Sequence, residues 1–418
     1  MPLNVYISDG RIVALKKTIE ACDSTYDAEG NLVIPGIIDP HVHFSLDLGR
    51  YVSRDDFHTG SKAAAFGGVT TFLDFLDPSD SPRSLRETYD KRKKEASDAC
   101  LDHKFHATLK STDCDLKDYV MTMRDLKLDS LKVFTTYSES GRMSDRETIE
   151  TLLGLQNHYP FLLLAHIEND AMITLDETYT HQDLPRSRPS ESETSEALAL
   201  AELVNRTHGE LYMVHLSSGH TIERLKERFS GILNRRFHVE SCPQYFTFST
   251  KMLKNDQGRY FTFAPPLRSE KERTTLIGNI DSIGTIGTDH CAFNKADKHN
   301  ERLIDMPLGI PGVEQAFDIM YARFGPSIID KMTRNVAQKM RLPKKGRIKE
   351  GYDADLFIYE ETDRTIDTFH NATDYNPYLN QPVKGHVKCT MSRGRFIMKD
   401  RTFLGGKGRL LNEEKSDH

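Results

Sequence analysis

The chain has no pair of cysteines at CxxC spacing. Its six cysteines, Cys22, Cys100, Cys114, Cys242, Cys291 and Cys389, are scattered along 418 residues, which argues for reduced thiols in a cytoplasmic protein rather than a disulfide framework. No apolar run reaches membrane-spanning length, and the opening MPLNVYISDG has neither the basic nor the apolar segment of a secretion signal. No basic stripe interrupts the mixed charges, whose net value is -6, so phosphate contacts to a nucleic acid have no source. What remains is a chain long enough for one (β/α)₈ barrel, which takes about 250 residues, plus a smaller domain.

The pattern that is present fits that outline. NVYISDGRIVAL reads as a hairpin around Asp9-Gly10. Eight apolar runs follow, at residues 34–43, 69–75, 104–110, 131–137, 161–168, 211–217, 237–245 and 283–290, separated by helix-length intervals, as a parallel barrel requires. In the first interval Ser53 is the expected N-cap and Gly67-Gly68 the stop. A second helix, from about Glu191 to Thr207, carries Ala197, Leu200, Ala201 and Val204 on one face and stops before Gly209. From Gly346 the pattern returns to short strands with a turn at Arg393-Gly394, and the final GGKGRLLNEEKSDH reads as a polar, frayed end. The expected division is a small β-domain from residues 1–33 and 340–418, and a barrel from 34–339.

Chemistry collects at the ends of the runs. His41 and His43 lie two apart, which in a strand points both side chains the same way. His166 and His215 end the fifth and sixth runs and Asp289 lies in the last, and strand C-terminal ends are where barrel enzymes hold catalytic groups. Lys132, between Leu131 and Val133, should point inward, where an unpaired ammonium is costly. Its chemistry leaves two solutions, a salt bridge, for instance with Asp289, or reaction with carbon dioxide to give a carbamate, and chemistry alone favours the bridge. Two bridged metal ions would pair all six residues. His290 reads equally as support for the site or as a group satisfying a loop carbonyl. His58 and His106 read as structural, and Cys242 and Cys291, with no neighbouring base, as packing.

The segments GIIDPHVHF, DDFHTGSKAAAFGGVTTFLDF, SLKVFTTY, AHIEND, VHLSS, ESCPQY, APPLR, GTDHCAF, GIPGVE and GYDADLFIY resemble, in order and spacing, the hydantoinase and dihydropyrimidinase branch of the amidohydrolase superfamily. That resemblance implies an α/β fold, a (β/α)₈ TIM-like barrel with a β-sandwich domain built from both termini. It also implies two divalent ions, most often Zn²⁺, bridged by a carboxylated lysine, and so reverses the preference at Lys132, with carbon dioxide as the modifying reagent. Carried over, His41, His43 and Asp289 hold one ion, His166 and His215 the other, and Lys132 as N6-carboxylysine bridges them. The implied reaction is attack of a metal-bridging hydroxide on a ring carbonyl, with Asp289 shuttling the proton and Tyr137 donating to the oxyanion.

Two positions depart from the dihydropyrimidinase pattern. The serine and asparagine that hold the substrate's amide edge, largely through main-chain groups, are replaced by Ala264 and Leu308. Dihydroorotases carry an arginine two residues after the second histidine, where this chain has Ser45, and Arg50 or Arg54 are the available substitutes. A neutral cyclic ureide therefore ranks above dihydroorotate or allantoin. An isoaspartyl dipeptidase is disfavoured by the APPLR and GIPGVE segments, and a non-catalytic scaffold relative by retention of all six ligands. The implied partners are a small cyclic amide and further copies of the chain, as a dimer or tetramer.

Overall fold

The computed structural model describes residues 3–413. Among the described residues fifteen strands form three sheets. β1 (Asn4–Ser8) and β2 (Arg11–Lys16) make the N-terminal hairpin, with both turn residues, Asp9 and Gly10, at positive φ, as a two-residue turn between twisted strands requires. β3 (Leu32–Pro35) joins a five-stranded antiparallel sheet with β12 (Leu356–Thr365), β13 (Pro382–Ser392), β14 (Arg395–Lys399) and β15 (Thr402–Phe403). A small β-domain is thus assembled from both ends of the chain.

The third sheet is the barrel: β4 (Ile37–Val42), β5 (Val69–Phe75), β6 (Asp102–Thr108), β7 (Ser130–Phe134), β8 (Leu162–His166), β9 (Leu211–Met213), β10 (Phe237–Ser241) and β11 (Thr285–Ile286). Neighbours run parallel in sequence order. The ring closes between the end of β4 and the chain just beyond β11, where Val42 bridges His290 and the Asp289 N–H donates to the His41 carbonyl at 2.9 Å. Inside, Ile38, Leu73, Leu162, Leu164, Tyr212 and Val214 pack as one cluster with Val336, Ala337, Met340 and Leu342, which plug the end of the barrel away from the histidines.

Three local expectations are corrected. The run 34–43 is not one strand: it divides at Gly36, leaving β3 in the outer sheet and β4 in the barrel. A Cβ on Gly36 would lie 2.1 Å from Thr70 Oγ1, so only glycine lets the chain cross there. Ser53 is not the N-cap. Asp56 caps the helix Phe57–Phe66 in a reciprocal box with Thr59, while Ser53 Oγ donates to the His43 carbonyl at 2.9 Å and accepts from Leu46 N–H at 2.8 Å, so its hydroxyl shapes the loop beside the metal-capable strand end instead. The C-terminal segment is not frayed as far as Glu413. Arg409 O accepts from His103 N–H at 2.9 Å and Asn412 Oδ1 from Phe105 N–H at 2.8 Å, so the tail pairs with β6; residues 414–418 lie outside the described residues. Among the described residues no helix is long and apolar enough to cross a membrane.

Candidate metal and active site

β4 delivers the first pair of imidazoles. Period-2 geometry turns His41 and His43 to one side, and their Nε2 atoms lie 3.2 Å apart. Asp289 Oδ1 completes a triangle at 3.1 Å from His41 and 3.3 Å from His43. β8 and the end of β9 supply the second pair, with His166 Nδ1 3.0 Å from His215 Nε2. The pairs meet, since the His41 and His215 rings have centroids 5.4 Å apart.

Three of the residues named from sequence leave their strands through left-handed backbone: Tyr137 at φ 72°, His215 at φ 40° and Asp289 at φ 52°. Such conformations cost non-glycine residues on the order of 1–3 kcal/mol and persist where the surroundings hold them.

Lys132, on β7, is buried, and among the described residues its amine makes no hydrogen bond or ion pair. The salt bridge with Asp289 that chemistry alone favoured is not formed. The amine instead lies over the rings of Phe75 and Phe134, 5.1 and 5.4 Å from their centroids. Burial lowers its pKa to about 8, against the opposing pull of Asp289 and Glu240. The imidazoles around it divide. Burial, helped by His41 and Lys132, holds His43 down at about 4, and burial lowers His166 and His215 as well. His41 is the exception: burial opposes its charge, but Asp289 and Glu240 together raise it to about 9. Neutral imidazole lone pairs thus face a position where two carboxylates favour positive charge.

Several supporting residues escaped the sequence reading. Glu240 accepts from His41 Nδ1 at 2.9 Å and from Tyr212 Oη at 2.8 Å, which leaves His41 Nε2 turned towards Asp289. Glu168 accepts from His166 Nε2 at 2.6 Å and pairs with Arg188, whose guanidinium lies 4.7 Å from the Tyr137 ring centroid. Phe75 packs against His41, His43 and His106, forming an apolar floor. The signal for Glu168 and Glu240 was present in the sequence as acids inside apolar strand ends, where a buried carboxylate needs a partner.

The remaining named residues sort clearly. His290 accepts from the Gly312 and Val313 N–H groups through Nδ1 and donates to Asp55 through Nε2 at 2.9 Å, so it ties loops together and satisfies no loop carbonyl. His106 is held by Ser130 Oγ and the Pro40 carbonyl, and exposed His58 lies 3.4 Å from the Asp98 carbonyl. Cys242 and Cys291 are buried, and burial raises both thiols. Arg50 pairs with Asp305 at 3.0 Å and Arg54 with Asp297 at 2.9 Å. Both are thereby committed to the loop surface, and Ser45 itself adds no charge. The segments of Ala264 and Leu308 are joined to each other through the Thr262 carbonyl and the Gly309 N–H at 3.0 Å, and Leu308 packs on Tyr179, Leu184 and Leu303.

Residues 32–397 match the amidohydrolase family. The chain is 31% identical to the D-hydantoinase of Geobacillus stearothermophilus over 97% of its own length and 91% of that protein. It is likewise 31% identical to the D-phenylhydantoinase of Escherichia coli O81, over 93% of this chain and 89% of the relative. Among solved structures, the dihydropyrimidinase of Brevibacillus agri superposes with a TM-score of 0.92 at 28% identity, covering 100% of this chain and 96% of the other.

Proposed function

Because the chain belongs to the amidohydrolase family, in its hydantoinase and dihydropyrimidinase branch, we propose that it is a metal-dependent hydrolase that opens a cyclic ureide, a hydantoin or dihydropyrimidine, to an N-carbamoyl amino acid. The observation that carries this reading is the triangle of His41 Nε2, His43 Nε2 and Asp289 Oδ1, with edges of 3.1, 3.2 and 3.3 Å. Ligand bonds of ~2.0 Å in a tetrahedral zinc site give edges of ~3.3 Å, so the donor set fits a divalent ion. His166 and His215 offer two more nitrogens, and Lys132, as an N6-carboxylysine, would give the two ions a shared anionic bridge. Zinc is the proposed metal, since imidazole and carboxylate suit it. When bound, such ions supply the positive charge that brings the pKa of a coordinated water from ~15.7 to ~7.

The chain's own groups divide the remaining work. Glu240 and Glu168 hold the imidazoles of His41 and His166 through their second nitrogens, which fixes tautomer and ring orientation. Asp289 accepts a proton from the attacking water and returns it to the ring nitrogen as the C–N bond breaks. Tyr137, steadied by the Arg188 guanidinium on its ring face, donates its hydroxyl to the oxygen that becomes negative. The main chain at Ala264 and Leu308 holds the amide edge of the ring. Against a carboxylate-bearing ring such as dihydroorotate stands the commitment of Arg50 and Arg54 to Asp305 and Asp297. Cytoplasmic residence belongs to the same proposal and is supported by six unpaired cysteines. Assembly with further copies of the chain, as a dimer or tetramer, belongs to the same proposal.

The test is a substrate panel on zinc-loaded protein: hydantoins with apolar substituents, dihydrouracil, dihydroorotate, allantoin and isoaspartyl dipeptides. Turnover is expected to be fastest on a hydantoin or dihydrouracil, to vanish on chelation, and to accompany two ions per chain. Active protein carrying less than one ion per chain, or a clear preference for dihydroorotate or a dipeptide, overturns the reading.

A further inference from the structure

Lys298 ends a short helix, Lys295–Lys298, in the long connection after Asp289 and is fully buried. Among the described residues no carboxylate comes within ion-pair distance of it. A buried ammonium without a counter-charge is costly unless its three donors are all satisfied. They are: Lys298 Nζ donates to the Thr262 carbonyl at 2.8 Å, to Thr262 Oγ1 at 3.1 Å and to the Pro307 carbonyl at 2.6 Å. Filling the same volume with methionine or leucine would avoid the desolvation, so the hydrogen bonds are what the residue contributes there.

Those acceptors belong to two segments far apart in sequence. The Thr262 carbonyl also accepts from Gly309 N–H at 3.0 Å, and the Cys291 N–H donates to the Ile310 carbonyl at 3.0 Å. A Cβ on Gly309 would lie 2.5 Å from the Cys291 carbonyl oxygen, so the backbones approach as closely as glycine permits. The stretches around 262–265 and 307–310 are therefore fixed to each other and to the chain two residues beyond Asp289. Lys298 is the side chain that pins both.

We propose that Lys298 is a positioning residue for the substrate ring: it sets the separation between the main chain at Ala264 and the main chain at Leu308, and through that separation the ring size the site prefers. This rests on the functional reading above, in which those main-chain groups hold the ring's amide edge.

The experiment compares wild type and Lys298→Met, both zinc-loaded to equal metal content, on an unsubstituted hydantoin and on dihydrouracil, a five-membered and a six-membered ring. Losing geometry worth about one hydrogen bond predicts a KM rise of about tenfold on the preferred ring, a smaller change in kcat, and a several-fold loss of discrimination between the rings. A residue that served stability alone would lower the active fraction and kcat for both rings together, leaving both KM values and their ratio where they were, and that result overturns the inference. If Lys298→Met does not fold, Thr262→Val, which removes one acceptor at nearly constant volume, carries the test. It is expected to move the KM ratio in the same direction, and an unchanged ratio overturns the inference. A wild type active on neither ring overturns the functional reading and this inference with it, whereas an active wild type with an unmoved ratio in the variant overturns this inference alone.

Discussion

In the proposed reaction Asp289 meets two demands with one carboxylate. Burial would raise its pKa, but His41, His43 and His215 outweigh burial and hold it well below the ordinary carboxylate range. It is thus an anion down to acidic pH, able both to bind a cation and to take a proton. Asp289→Asn keeps one ligating oxygen and removes the base, so with metal content matched to wild type kcat is expected to fall by at least ~10²–10⁴-fold, and the acidic limb of the pH profile to disappear. Near-wild-type turnover would refute the assigned role. Lys132 yields a second expectation. Its amine is held down at about 8 by burial, so the neutral form that reacts with carbon dioxide grows in as pH rises through that value. Reactivation of metal-stripped protein by bicarbonate and zinc is therefore expected to be faster above pH ~8 than near pH ~6, and Lys132→Ala to lose metal and activity with partial rescue by short carboxylic acids. A rate independent of pH would count against the carbamate. At this scale the metal-capable residues were legible because they sit at the ends of apolar runs, where a polar group asks for a reason. Arg188 and Phe75 were not. A guanidinium that reaches back from a distant loop, and one phenylalanine among many, leave no periodic trace.

The elements that join the two domains are held by charge as well as by packing. Lys345 Nζ lies 2.9 Å from Asp102, 2.6 Å from Asp355 and 3.3 Å from Asp353, with Arg393 and Arg409 closing on Asp102 at 3.1 and 2.9 Å. Three buried or nearly buried carboxylates that could have held a metal ion are occupied by a lysine instead. Lys345→Met strands that negative charge, and removing one partner from a buried network typically costs about 3–5 kcal/mol, measurable by urea unfolding. The sign of its pH dependence follows from Asp102. Burial opposes its ionisation, but Lys345, Arg409 and Arg393 hold its folded pKa below the unfolded value of ~3.9. The contribution is present above that value and lost as pH falls below it, so the gap between wild type and variant is expected to narrow on acidification below pH ~4. A gap constant across that range would show that the pairing is not the source. The barrel strands and the two helices at Phe57–Phe66 and Ser190–Thr207 were readable here from periodicity. The exceptions were set by tertiary contacts: the crossing at Gly36 depends on Thr70, and the ordered tail depends on β6, neither of which is local in sequence.

For the whole molecule, the candidate ligands come from β4, β7, β8 and the chain just beyond β9 and β11, so an ion bound among them ties together five of the eight barrel strands. A ligand that binds only the folded state at a hundredfold excess over its Kd adds about 2.7 kcal/mol of stability. Chelation is accordingly expected to lower the melting temperature as well as abolish turnover, and re-addition of zinc to restore both. An unchanged melting temperature after complete metal removal would mean the ions contribute chemistry without bracing the barrel. The whole-molecule outline, a barrel between two halves of a β-domain, was the most legible level of all, because eight repeats constrain topology more strongly than any one element does.

The closure of the ring beside His41 and Asp289 also orders events in time. His41 is among the first barrel residues to leave the ribosome, but its partner oxygen is about 250 residues away, and at ~5–20 residues per second translation takes on the order of ten seconds to a minute to reach it. During that interval His41 and His43 lack the Asp289 carboxylate that lies 3.1 and 3.3 Å from them in the folded chain. The plug at Val336–Leu342 and the tail strand-mate at Arg409–Asn412 arrive later still. In the proposed metal site the set His41, His43 and Asp289 is therefore completed late in synthesis, and a chain stalled anywhere before Asp289 lacks one of its three members.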